Sequence, residues 1–173
     1  MGKFSTIVCG FLFAWTAIAC AATQTMNDVE TIDISLPKGG NADWVLKFEK
    51  ANDGKSSRIW TRKVFDDEDE KVVITSVPFK TRDLSTIQDV VNNILQPIKN
   101  APNIKWKIYE LGPDGAIVGW KEEGSLVAIL RVFFTDSTLH TVWYSFKGRD
   151  TTKVDTEKWV GILKSAQLKK DKN

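Results

Sequence analysis

Leu126-Val127-Ala128-Ile129-Leu130-Arg131-Val132-Phe133-Phe134, followed after Thr135-Asp136-Ser137 by Thr138-Leu139-His140-Thr141-Val142-Trp143-Tyr144-Ser145-Phe146, decides the fold. The first run holds one charge, Arg131, and is apolar at odd and even positions alike. Successive side chains of a strand point to opposite faces, so such a run must be covered on both sides. It reads as a central strand, and the second run, pairing back across Asp136-Ser137, as its hairpin partner.

Outward from this hairpin the pattern continues. Downstream, Asp155 or Thr156 is placed to cap a last helix whose Trp159, Ile162, Leu163 and Ala166 form a buried stripe. Upstream, Ile104, Trp106 and Ile108 alternate with Lys105 and Lys107, and Gly112-Pro113-Asp114-Gly115 turns the chain into Ala116 to Trp120. Before that, Asp83 is a candidate N-cap for a helix carrying Leu84, Ile87, Val91, Ile94 and Ile98 on one face, which Pro97 should end near Gln96. The earliest strands are expected at Ile32 to Leu36, stopped by Pro37, Gly39 and Gly40, and at Trp44, Leu46 and Phe48, which alternate with Lys47 and Glu49. Asn52-Asp53-Gly54 supplies a hairpin turn into Arg58 to Phe65, and Val72 to Val77 is a further strand ending at Pro78. The expectation is an α+β fold: a mostly antiparallel sheet of hairpins with two main helices packed on it, in the order ββββα-ββββα. Residues 31–173 form a single domain, with no short internal repeat.

The N-terminus reads as an export signal over residues 1–22, with 23–30 a short tether. Lys3 precedes an apolar run from Ile7 to Ala19 that is shorter than the roughly 20 residues needed to cross a bilayer, and small residues follow it. Cleavage after Ala21 or Ala22 removes both cysteines, Cys9 and Cys20. Cleavage before Cys20 instead makes it a lipidation site; Ala17-Ile18-Ala19-Cys20 resembles a bacterial lipoprotein box, with Ala17 where Leu is usual. Either way the mature chain has no intramolecular disulfide, and the core alone must hold the fold in an oxidising compartment. The expected localisation is periplasmic or secreted. The membrane enters only through a lipidated Cys20 or an uncleaved signal.

Removing Lys3 with the signal leaves 23 basic against 22 acidic residues, interspersed apart from the acidic run Asp66 to Glu70 and the basic tail at Lys169, Lys170 and Lys172. That balance argues against a nucleic-acid partner, which selects concentrated basic charge. Catalytic motifs are incomplete. Asp53-Gly54-Lys55-Ser56 has Glu49 where a phosphate-binding loop needs its first Gly, and Gly119 to Gly124 is followed by Ser125 where the Lys belongs. The acidic run fails as an EF-hand because Lys71 and Val77 stand at the Gly and closing Glu positions, so it reads as a solvated loop. His140 is the only histidine and shares a strand face with Val142, Tyr144 and Phe146, which points to a core or sheet-surface histidine rather than a catalytic one. One His with at most one Cys cannot build a zinc site without carboxylates, no Gly-x-Ser-x-Gly elbow is present, and the expectation is no cofactor, no metal and no catalytic residue.

Arg58, Trp60 and Arg62 share one strand face, where guanidinium groups can stack on the indole and form an exposed partner-binding patch. Arg131 is either a paired side chain or an anion anchor. The opening Ile32-Asp33-Ile34-Ser35-Leu36-Pro37, Trp44 and the closing Ile162-Leu163-Lys164-Ser165 resemble the first strand and last helix of the PsbP-like α/β/α family. That resemblance implies an accessory or binding role. The expected function is an exported, non-enzymatic envelope or periplasmic module that binds or assembles another protein. The alternatives are a carrier of a small apolar ligand and a hydrolase using His140 or carboxylates.

Overall fold

The computed structural model describes residues 30–38, 43–52, 55–65, 68–79 and 84–168. The signal, Cys20, most of the tether, the Asp83 cap and the C-terminal lysines lie outside these residues. Seven strands form one antiparallel sheet: β2 (Val45–Asn52), β3 (Lys55–Phe65), β4 (Glu68–Pro78), β5 (Ile104–Leu111), β6 (Gly115–Glu122), β7 (Leu126–Phe134) and β8 (Thr138–Lys147). Their spatial order is β2-β3-β4-β8-β7-β6-β5. Two meanders therefore meet at the β4–β8 seam, and the helix α1 (Leu84–Leu95) carries the chain from that seam out to the far edge. The α+β class and the hairpins are as expected. The order differs at its ends: β1 is only Ile32–Asp33, and it pairs outside the main sheet with a ninth strand, β9 (Gln167–Leu168), which follows the last helix, α2 (Thr156–Lys164).

The β7 run is covered on both faces because each parity has its own core. Val127, Ile129 and Phe133 face α2, with Val72, Ile74, Val142, Tyr144, Trp159 and Leu163. Ala128, Leu130, Val132 and Phe134 face α1, with Ile87, Val91, Leu95, Trp120 and Trp143. The periodic apolar side chains of α1 lie on one face, and the helix ends at Leu95, before Pro97.

Arg131, the one charge in β7, reaches the C-terminus of α2. Its Nη1 donates to the carbonyls of Leu163 (2.7 Å), Lys164 (2.8 Å) and Ala166 (2.7 Å). A cation beside the last carbonyls satisfies acceptors the helix cannot and complements its dipole. At the other end of α2, the Asp155 carboxylate accepts from the Lys158 N–H at 2.9 Å. One strand residue and one cap thus fix the helix that walls the candidate site.

Two strand expectations need correction. A bulge between Leu46 and Phe48 puts these residues on opposite faces: Leu46 pairs with Trp60 and Phe48 with Ile59. All of β2 is exposed. The acidic run is not simply a solvated loop either. Residues 66 and 67 lie outside the described residues, but β4 begins at Glu68, and its alternation buries Glu68 and Glu70 while Asp69 and Lys71 stay outside. Pairing of Glu70 with Arg62 makes that burial tolerable.

Candidate functional site

The Arg58–Trp60–Arg62 face turns toward α2. All three side chains are half-buried against the α2 layer, so the exposure expected from their charge does not hold. The charge is met by partners that the fold supplies: an Arg58 guanidinium N–H donates to the Ile32 carbonyl, and Arg62 pairs with Glu70 across the β3–β4 hairpin, with Nε to Oε2 at 2.6 Å. Arg58 does stack on Trp60, at 5.2 Å from the ring centre, whereas Arg62 stacks on Trp44, at 4.9 Å.

Arg62 belongs to a closed ring of five side chains from five segments. Its guanidinium lies on Trp44, Trp44 meets Trp159 edge-on at 6.0 Å, and Trp159 stacks on Tyr144 at 3.6 Å. The Tyr144 hydroxyl then donates to Glu70 Oε1 at 2.9 Å, and Glu70 returns to Arg62. Burial, with the adjacent Glu70 carboxylate, pushes the Tyr144 hydroxyl pKa far above its ordinary value, so the ring holds a neutral phenol. This ring lies beside a cavity of about 240 Å³ that is also bordered by Lys38, Lys153, Lys158 and Glu68. Glu68 is 8% exposed, and among the described residues its Oε2 has no hydrogen-bond partner. Charged side chains of both signs thus border the cavity beside the apolar Val64, Phe146 and Val154.

His140 sits at the other end of the β4–β8 seam, fully buried on the face the sequence assigns. Its Nδ1 is 2.8 Å from Ser76 Oγ, and its Nε2 is 3.2 Å from Thr135 Oγ1 and 3.3 Å from Glu30 Oε2. Ser, His and Glu in hydrogen-bonded series are the components of an activated nucleophile. Ser76 and His140 are both 0% exposed, however, so the hydroxyl meets no substrate surface. Burial lowers the His140 pKa against the opposing pull of Glu30. Burial alone would raise the Glu30 carboxyl, but hydrogen bonds involving Thr135, Thr138 and His140, with the His140 charge, hold it below its ordinary value. The set anchors the N-terminal segment to the sheet. Among the described residues no group of three or more His, Cys, Asp or Glu is arranged to hold a metal ion.

The apolar groups that face solvent lie elsewhere. Val45, Leu46 and Phe48 on β2 are 44–48% exposed, and Trp106, Ile108 and Leu111 on β5 are 36–40% exposed. These strands are the two edges of the sheet. Among the described residues Trp106 is thus more exposed than Trp60. Alternation flags Trp106 in the sequence, but only the sheet order shows that its strand is an edge. No protein-family model matches the chain, and no curated protein matches it significantly.

Proposed function

We propose that this chain is an exported, non-enzymatic accessory module of the cell envelope or periplasm that binds another protein. The observation that carries this reading is the concentration of exposed large apolar side chains on the two outer strands. Isolated apolar side chains on a surface are ordinary, but clusters of this kind mark contact sites. Each edge strand also carries a bulge and lysines, Lys47 and Lys50 on β2 and Lys105 and Lys107 on β5, devices that discourage strand-to-strand pairing. Docking would therefore use side chains on the flanks of the sheet rather than its open hydrogen-bonding edges.

The resemblance of Ile32 to Pro37, Trp44 and Ile162 to Ser165 to PsbP-like accessory proteins implies a binding role of the same kind. The burial of Ser76 and His140 weighs against the hydrolase reading. The test is capture from envelope extracts by the mature domain, followed by mass spectrometry. A partner retained by the parent and lost from a Leu46→Ser/Phe48→Ser or a Trp106→Ser variant is the expected result. Retention by both variants would contradict the assignment.

A further inference from the structure

The α1 layer covers only part of its sheet face. Register carries one row from Trp143 to Val73, Ile59 and Phe48 on that face. The α1 core includes Trp143 and reaches Val73, but Ile59 and Phe48 lie beyond it, and Phe48 is 44% exposed. Ile59 is half-buried and, among the described residues, belongs to neither helix's core.

Around this apolar centre the same face is basic. Residues with the parity of Ile59 and Val73 include Lys63 on β3 and Lys71 on β4; Lys147 on β8 pairs with Asp69 on β4, and Lys50 follows Phe48 by two on β2. These four lysines are exposed, Lys55 shares their face, and Asp69 is the one carboxylate among the described residues of β2, β3, β4 and β8 that points this way. On the opposite face Arg58, Arg62 and Arg131 all have internal partners. Charges that alternate along the strands are thereby sorted by face, and a nearly neutral chain acquires a basic flank.

We propose that this flank docks an acidic protein segment, one that lays an apolar side chain on Phe48 and Ile59 and sets carboxylates beside Lys50, Lys63, Lys71 and Lys147. The inference rests on the protein-binding reading and specifies the partner's chemistry. An apolar centre within a polar, charged rim is the anatomy of a protein interface, and complementary charge supplies orientation and rate. The apolar centre favours a protein over a polyanion bound by charge alone.

The test uses the mature chain and two fluorescent probes, a random copolymer of Glu and Tyr and poly-Glu, followed by anisotropy. The copolymer should bind about tenfold more tightly than poly-Glu, and Phe48→Ser and Lys71→Glu should each weaken it about tenfold, the loss expected of an interface anchor. Lys105→Glu, on the other face of β5, should leave it unchanged. Binding should weaken as salt rises. The exposure of Phe48 and Lys71 leaves these variants able to fold, which circular dichroism checks. Equal binding of both probes, silent variants, or an equal loss in Lys105→Glu would overturn the proposal. So would phosphatidylglycerol vesicles or a single-stranded oligonucleotide taking the Phe48- and Lys71-dependent binding in place of the copolymer, or sedimentation showing a dimer that Phe48→Ser dissolves. If an envelope protein is captured while the copolymer results are negative, this inference fails and the protein-binding reading stands; if nothing is captured, that reading fails.

Discussion

Replacing Arg131 with Met keeps most of the apolar stem and removes the guanidinium that holds the C-terminus of α2. Three acceptors lose their donor: the carbonyls of Leu163, Lys164 and Ala166, now at 2.7–2.8 Å. The stacking of Arg131 on Phe133, at 4.3 Å, goes with them. Net contributions of hydrogen bonds to charged groups run to about 1.5–3 kcal/mol, and water can reach part of this helix end, so the expected loss is about 2–3 kcal/mol. With a urea dependence of about 2 kcal/mol per molar, the unfolding midpoint should fall by about 1 M. Arg131→Lys should recover only part of this, because the shorter lysine side chain stops short of the position Nη1 occupies and has no planar group to stack on Phe133. Equilibrium urea unfolding followed by tryptophan fluorescence gives both numbers. A midpoint within about 0.2 M of the parent for Arg131→Met would refute the capping argument and mean that water replaces the guanidinium at no cost.

Further outcomes follow from the same packing. Leu163→Ala should destabilise the domain by about 2–5 kcal/mol in denaturant unfolding, because Leu163 is 0% exposed in the α2 core. The lowered pKa of His140 makes the native state bind fewer protons than the unfolded chain once the pH drops below about 6.5. That stability is present above this value and lost as the pH falls through the folded pKa. Glu30, also lowered, extends the loss below its ordinary 4.5. Melting temperatures of the parent should therefore decline from pH 7 to 5 more steeply than those of His140→Gln, and parallel curves would contradict the assignment. The chain has two tyrosines, and ultraviolet titration should show Tyr144 ionising only once the protein unfolds.

Much of the fold was legible because hydrophobic parity is a local signal. The two-sided apolar run of β7 announced cover on both faces, and Asp155 and Pro97 marked helix ends through chemistry confined to a few residues. What the sequence hid depends on strand order. Arg58 and Arg62 looked too polar to bury because Ile32 and Glu70, their partners, are brought near only by the folded sheet. The bulge at Leu46/Phe48 reverses a parity that plain alternation reads the other way, and it places Phe48 on the basic flank. Similarly, interspersed lysines and carboxylates look balanced until alternation assigns them to faces. The candidate surface was thus encoded in residues the sequence displays openly, but its location follows from which strands are edges and how far α1 reaches.

The central claim, that this is a protein-binding module whose partner meets the open flank of the sheet, is tested most directly by site-specific photocrosslinking in exported mature protein. A photoreactive phenylalanine derivative at position 48 should give a discrete covalent adduct with an envelope protein. The same group at Asn92, exposed on α1, should give none. An adduct from position 92 with none from position 48, or no adduct from either, would contradict the account.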